Sequence, residues 1–165
     1  MKLTNKVAIV TGGSRGIGLA TVKAFIEADA TVILTASSQA NADKAVAALK
    51  EEYPEATIGG ISPNLADLGD VQKCFDEVVA TYGKIDILVN NAGVSESTPL
   101  ANFSEELFEK VMDLNVKGVF NCTKAAVKHM EPQGSGVILN TFPWSAATAS
   151  PPVSPIPLPS SLWTA

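Results

Sequence analysis

The residues of this chain best suited to chemistry form one uninterrupted stretch, Val7-Ala8-Ile9-Val10-Thr11-Gly12-Gly13-Ser14-Arg15-Gly16-Ile17-Gly18. A short apolar run ends in a glycine-rich turn, and the turn opens an amphipathic segment from Leu19 to Ala28. Glycines spaced this way are common in loops, so the weight lies in the flanking strand and helix patterns. Gly12 permits a tight turn. Gly16 and Gly18 let the backbone approach a pyrophosphate at the positive end of the helix. The plain alternative is an ordinary strand-to-helix turn. A second stretch, Asp86-Ile87-Leu88-Val89-Asn90-Asn91-Ala92-Gly93, closes an apolar run with paired asparagines and small residues. Such a turn can hold backbone groups against a ligand at the carboxyl edge of an open sheet. Alone it is only a turn signal; following a glycine-rich phosphate loop, it is far more specific.

The elements that must position these residues follow from periodicity. Apolar, β-rich runs at Val7–Val10, Thr31–Thr35, Thr57–Ile61, Ile85–Val89 and Gly136–Thr141 predict five strands. Helical periodicity predicts helices over Gly16–Ala28, Asn41–Glu52, Leu68–Tyr82 and Ser104–Met130, the last bending or breaking near Asn115. Ser104 followed by Glu105 and Glu106 reads as an N-cap with acids in the first turn. Alternation of this kind means crossover units, and hence a parallel sheet with helices on both faces.

Composition narrows the class. A chain of 165 residues, 46% of them apolar, suits one hydrophobic core. Net charge is −5 without a Lys/Arg cluster, which argues against a nucleic-acid partner. No secretory leader pattern or membrane-length apolar run is present in these residues, so a cytoplasmic protein without a membrane partner is expected. Cys74 and Cys122 fall inside predicted helices and read as small core residues rather than as a disulfide or metal pair. His129 is the only histidine. That argues against a Ser-His-Asp triad and excludes a multi-histidine metal site. Beyond Phe142 the character changes: six of the ten prolines lie between Pro143 and Ala165. Residues 1–141 therefore read as one dinucleotide-binding domain and 142–165 as a Pro/Ser-rich, disordered tail.

Together with Asn115, the two motifs resemble the short-chain dehydrogenase/reductase family over Met1 to about Thr141. The resemblance implies an α/β, Rossmann-type, doubly wound parallel sheet in the order 3-2-1-4-5, here truncated after the fifth strand. It also implies a soluble homo-oligomer for a full-length member and a small carbonyl or alcohol substrate. By position, Thr11, Gly12, Ser14, Arg15, Gly16, Ile17 and Gly18 would surround the cofactor phosphates and ribose. Asn91, Ala92 and Gly93 would line the adenosine and nicotinamide side. Asn64 and Leu65 stand where members usually place an aspartate that accepts from the adenine amino group, a bond an asparagine carbonyl can also accept. Asn115 matches the asparagine that bends a helix and holds a water in the family's proton relay. An acid at the end of the second strand would bond the 2′-hydroxyl of NAD and repel a 2′-phosphate. Leu34-Thr35-Ala36-Ser37-Ser38 offers none. With Arg15, Ser37 and Ser38 at hand, NADP is favoured over NAD.

The catalytic half departs from the family. Members carry a serine after the fifth strand and a Tyr-x-x-x-Lys on the next helix. Here Pro143 falls at the serine position, the only tyrosines are Tyr53 and Tyr82, and no lysine follows Lys128. The general acid/base is absent as the chain stands. The genetic code offers a reason. Pro143-Trp144-Ser145 written as CCA-TGG-TCA and read one base upstream gives Ser-Met-Val-Ser. The same shift from Pro155 to Trp163 gives Tyr-Pro-Ala-Ser-Lys-Phe-Ala-Val. The latent serine and tyrosine begin at Phe142 and Pro155, thirteen codons apart, the family's spacing. A frameshifted gene, or a sequencing error, just after Thr141 is therefore expected. Two readings compete: a reductase that moves hydride between NADP(H) and a carbonyl or secondary alcohol, such as a 3-oxoacyl thioester, and a non-catalytic dinucleotide-binding remnant. A Rossmann methyltransferase is weaker, since Asn-Asn-Ala-Gly has no role there. With its family covering replaced by the tail, the helix face of Val119, Phe120, Ala126 and Val127 is expected to be partly open to water and to promote association.

Overall fold

Val7-Ala8-Ile9-Val10 sends successive side chains to opposite faces, and in the computed structural model all four are buried. Residues 2–141 are described by the structure, so the expected tail from Phe142 onward lies outside the described residues. Strands β1 (Val7–Val10), β2 (Thr31–Thr35), β3 (Ile58–Ile61), β4 (Ile87–Asn90) and β5 (Val137–Asn140) form one parallel sheet in the order β3-β2-β1-β4-β5. The register pairs Val7 with Thr31, Ala8 with Ile87, Val32 with Ile58 and Ile87 with Val137. This is the sheet order expected from the sequence.

Five α-helices connect the strands, α1 (Gly16–Glu27), α2 (Gln39–Glu52), α3 (Leu68–Tyr82), α4 (Glu105–Met112) and α5 (Gly118–Gln133); α1, α2, α3 and α5 cover the sheet. Alternate residues of the strands feed two cores. Ile9, Ile33 and Leu88 meet Val71 and Phe75 of α3 and Cys122, Ala125 and Met130 of α5. Ala8, Val10, Val32 and Leu34 meet Val22 and Ile26 of α1 and Ala42 and Leu49 of α2. Phe75 is fully buried, and its truncation to alanine belongs to the class that costs about 3–5 kcal/mol.

Several boundaries and burials differ from expectation, each for a local reason. Helix α2 begins at Gln39, before the expected Asn41, because Ser38 caps it through a bond from the Asn41 amide (3.3 Å). Strand β4 begins at Ile87, after the expected Ile85, because the backbone of Ile85 bonds the Gln133 side chain instead of a neighbouring strand. The long helix is irregular near Asn115, as expected, but does not end at Met130. It runs through a π-turn, Asp113–Lys117, and continues past Pro132 to Gln133. Cys122 is buried, and burial pushes its thiol up to about 12. Cys74 is only half-buried, contrary to the core reading. Ala126 is buried against the sheet and takes no part in an open face. The outer face of α5 does carry Phe120 (59% exposed) and Val127. On β5, Ile138 joins the core while Val137 and Leu139 on the other face are about half exposed.

Candidate functional site

All parallel strands present their carboxyl ends to the same edge, and the glycine turn leaves β1 there. Gly12 has φ +65 and Gly16 φ +57, the left-handed region that favours glycine. The turn is tied to β2, with Gly12 N donating to Thr35 Oγ1 (3.1 Å) and Gly13 N to the Thr35 carbonyl (3.0 Å). Gly18 packs tightly within the turn itself. A β-carbon there would collide with the Gly12 carbonyl and lie 2.5 Å from Asn91 Nδ2. Its missing side chain makes room for the protein's own turn, while Gly16 faces open space.

The amino end of α1 differs from those of α2, α3 and α4; that of α5 also lacks a side-chain cap, but α5 runs on directly from the π-turn. The N-cap of α1 is Arg15, which makes no side-chain capping bond, and the first turn carries no acid. Helices α2, α3 and α4 are capped by Ser38, Asp67 and Ser104, each accepting from backbone amides. The first-turn amides of α1 and its positive dipole end thus face the open side of the Gly16 turn, a cradle suited to a phosphate. Arg15 and Ile17 are exposed beside it, Ile17 at 73%, and Ser14 is half-buried.

A hydroxyl joins the two motifs. Thr11 Oγ1 accepts from the backbone amides of Asn91 and Ala92, both at 2.9 Å, and donates to the Val89 carbonyl (3.3 Å). Asn91 Nδ2 returns a bond to the Thr11 carbonyl at 2.9 Å. The side chain of Asn115, in the π-turn, bonds both ends of Val94: Oδ1 accepts from Val94 N (2.9 Å) and Nδ2 donates to Val94 O (2.8 Å). Its carboxamide therefore pins the loop after Asn91-Ala92-Gly93, and Oδ1 would lie 3.1 Å from a β-carbon placed on Gly93.

Ser37 is exposed at the end of β2, its Oγ accepting from Asn41 Nδ2 (3.2 Å). Asn64 and Leu65 lie after β3, on the rim of an open cleft of about 430 Å3 whose far wall includes Lys110 and Leu114. Asn64 Oδ1 accepts from the Ala66 amide at 3.1 Å, and Leu65 is buried. Arg15, Ser37, Asn64, Asn91 and Asn115 thus stand at the carboxyl edge on five different segments.

Sequence reasoning missed two further side chains. Asn90 is buried and donates through Nδ2 to Asn140 Oδ1 (2.8 Å) and Thr123 Oγ1 (3.1 Å); its own Oδ1 has no partner among the described residues. A signal existed, since Asn90 directly follows the expected run Ile85–Val89 and Asn140 lies near the end of Gly136–Thr141; the register pairs the two. Asn121, buried on α5, donates to the Leu65 carbonyl at 2.8 Å and fixes the loop that carries Asn64. The two tyrosines are elsewhere. Tyr53 and Tyr82 lie at the carboxyl ends of α2 and α3, hence at the amino edge of the sheet. Burial, with Glu27 and Glu52 nearby, pushes the Tyr53 phenol up to about 12.

This geometry has counterparts. A sequence model of the short chain dehydrogenase family matches residues 6–154. The chain belongs to that family. A 3α-hydroxysteroid dehydrogenase of Mediterraneibacter gnavus is 55% identical over 141 residues, which cover 86% of this chain and 56% of the relative. A 3-oxoacyl-[acyl-carrier-protein] reductase of Thermotoga maritima is 39% identical over 143 residues, 85% of this chain and 56% of the relative. Among solved structures, a gluconate 5-dehydrogenase from Burkholderia cenocepacia in complex with NADP and tartrate superimposes with a TM-score of 0.85. It is 31% identical, over 93% of this chain and 59% of that one. The chain thus spans a little over half the length of these relatives. The family match runs past Thr141, further than the motifs alone indicated. No helix among the described residues is long and apolar enough to cross a membrane.

Proposed function

We propose that the carboxyl edge of β1, β2 and β4 binds a nicotinamide dinucleotide, with NADP(H) preferred over NAD(H). The observation that carries this is the uncapped, acid-free first turn of α1 beneath the open Gly16 turn. Its amides, with Ser14 and Gly16, hold the pyrophosphate. Arg15 and Ser37 take the 2′-phosphate, since no acid stands at the end of β2 to repel it. Asn64 and Leu65 border the base. Ile17, Ala92 and Gly93 face the nicotinamide side, held there by Thr11, Asn91 and Asn115.

The bound cofactor supplies or accepts a hydride; the chain's own residues bind and orient it. The substrate class is a carbonyl or secondary alcohol, and the named relatives add a hydroxysteroid to the 3-oxoacyl thioester as candidates. Proton transfer is the missing part. Tyr53 and Tyr82 are at the opposite edge, and the residues after Thr141 contain neither Tyr nor Lys. We therefore take residues 1–141 as the dinucleotide-binding domain and the residues that follow as read out of the ancestral frame. A second reading, a dinucleotide-binding module without turnover, rests on the same position of the tyrosines. Restoring one base near codon 142 is expected to return Ser, Tyr and Lys to place and to yield a homo-oligomer.

The test is calorimetric titration of the 165-residue chain with NADPH and NADH, alongside NADPH oxidation with ketones, 3-oxoacyl thioesters and 3-oxosteroids. NADPH should bind more tightly, and turnover should fall short of a complete family member by about 10²–10⁴. Arg15→Ala should weaken NADPH about tenfold, at the low end for an exposed charged hydrogen bond, and leave NADH nearly unchanged. Equal losses for the two cofactors would remove Arg15 from the phosphate.

A further inference from the structure

We infer that the outer edge of β5 is a self-association surface, on which β5 of a second copy adds antiparallel and extends the sheet. The inference is independent of the dinucleotide reading.

The sheet has two outer strands, β3 and β5, and they are finished differently. Along a strand, successive residues direct their N–H and C=O groups to opposite sides. On β3, the Thr57 and Ile61 carbonyls accept from Val32 N (3.0 Å) and Ala36 N (3.1 Å) of the β2 side, so the Gly60 carbonyl points away from the sheet. It is occupied there. Gln39 Nε2 donates to it at 3.1 Å, and Gln39 Oε1 accepts from Ser62 Oγ at 3.2 Å. A side chain thus blunts that edge. On β5, Val137 N and Thr141 N donate to the Asp86 and Asn90 carbonyls, both at 2.9 Å. The backbone groups of Ile138 and Asn140 therefore point outward, and among the described residues no hydrogen bond closes them.

Charge and apolar character agree with an open edge. Exposed edges are commonly guarded by charged side chains, lysine above all. No charged side chain follows Glu131, although the chain carries a net charge of −5. Two copies therefore meet at β5 without the like-charge repulsion that opposes contact elsewhere. The occupant that fits is a second copy, because the edge is complementary to itself. With a two-fold axis at Leu139, Ile138 of each copy stands opposite Asn140 of the other. Each such pair exchanges two N–H···O bonds, which satisfies every outward group of both residues. The half-exposed Leu139 side chain then packs on its own counterpart across a non-hydrogen-bonded pair, with Cα atoms about 4.5 Å apart. A ladder of 4 residues is small beside the roughly 1,200 Å² of a stable interface, so the association is weak and concentration-dependent.

The experiment is sedimentation velocity of the 165-residue chain over a wide concentration range, with oxidative cross-linking of single-cysteine variants in a Cys74→Ser background. Leu139→Cys should form an intermolecular disulfide, since its Cα separation falls within the ~4.4–6.8 Å that the bond requires. Val137→Cys should not, because its two copies would lie about 13 Å apart along the paired strands. Leu139→Lys sets two ammonium groups face to face and should weaken association about tenfold or more. Its thermal melt should stay near native, because the side chain is half exposed. A chain that remains monomeric throughout would overturn the inference, whether solvent or the residues after Thr141 occupy the edge. Equal cross-linking of the two cysteine variants would also overturn it. So would association that survives Leu139→Lys and is lost in Phe120→Ser, which would place the contact on α5.

Discussion

Replacing Thr11 with valine exchanges a hydroxyl for a methyl at almost constant volume, so it tests the bonds that join the glycine turn to the Asn-Asn-Ala-Gly turn. Thr11 is 2% exposed, and its Oγ1 accepts from Asn91 N and Ala92 N at 2.9 Å each. Each amide left unpaired in a buried site costs about 1–3 kcal/mol. The Asn91 loop is only part-buried, so two lost bonds come to about 2–4 kcal/mol rather than the upper limit. The third bond adds little, because the Val89 carbonyl keeps its bond from Thr11 N at 2.9 Å. Against a typical total of about 5–15 kcal/mol, this is a large fraction. Urea denaturation should show a lower midpoint at unchanged slope, and NADPH affinity should fall with it. Thr11→Ser restores the hydroxyl and removes one methyl, so it should cost only about 1 kcal/mol. The reasoning fails if valine and serine destabilise equally, or if valine costs less than about 0.5 kcal/mol.

The glycines separate in the same way. Gly18→Ala drives a β-carbon into the Gly12 carbonyl and should cost about 1–3 kcal/mol by overpacking, with cofactor binding lost more steeply. Gly16→Ala meets no atom within 4 Å and should cost only about 1 kcal/mol, the strain of a left-handed residue; thermal melts of the pair check the order. Asn115→Leu removes both bonds to Val94, so amide exchange at Val94 should accelerate about tenfold or more while amides in β1 stay protected. Asp86 gives a pH test. Burial pushes its carboxyl up, but the Val7 amide (2.9 Å) and the ammonium groups of Lys6 and Lys84 outweigh this and hold it below the ordinary value. Its contribution is therefore present above the unfolded carboxylate value, about 4, and is lost as pH falls through the depressed folded value. Asp86→Asn should flatten the acid limb of the stability curve; an unchanged limb would remove Asp86 from it.

Much of the fold was legible because every inner strand is buried on both faces. Val7–Val10 and Thr31–Thr35 were delimited to the residue, since each is a short β-branched, largely apolar run bounded by turn residues, the pattern of a strand buried on both faces. The errors fall where apolar character and strand pairing part company. Ile85 is fully buried, yet its backbone bonds Gln133 on α5, a partnership across 48 positions that no local pattern announces. The π-turn at Asp113–Lys117 was legible only as an irregularity near Asn115. What holds it, a carboxamide closing on the backbone of Val94 from 21 residues away, is a tertiary fact.

The site shows the same division, and it explains why the cofactor half was easier to read than the proton half. The proposed phosphate site uses backbone amides and the absence of side chains, so its signature is local: a strand, glycines and a helix start within one dozen consecutive residues, Val7 to Gly18. Even so, the sequence could not assign each glycine its task. Gly16 is open toward the ligand side and Gly18 is filled by the protein's own Gly12 carbonyl, a distinction that appears only when β4 delivers Asn91 against the turn. Proton chemistry needs a side chain of the right pKa at a point set by distant segments. Tyr53 and Tyr82 satisfy the residue type, yet the helices that carry them run antiparallel to the strands and end at the amino edge. Topology, more than composition, removes them from the proposed reaction. For the proposed hydride transfer beside Ala92 and Gly93, a proton donor is therefore expected on chain that follows β5, where Thr141 N is bonded to the Asn90 carbonyl beside the same turn.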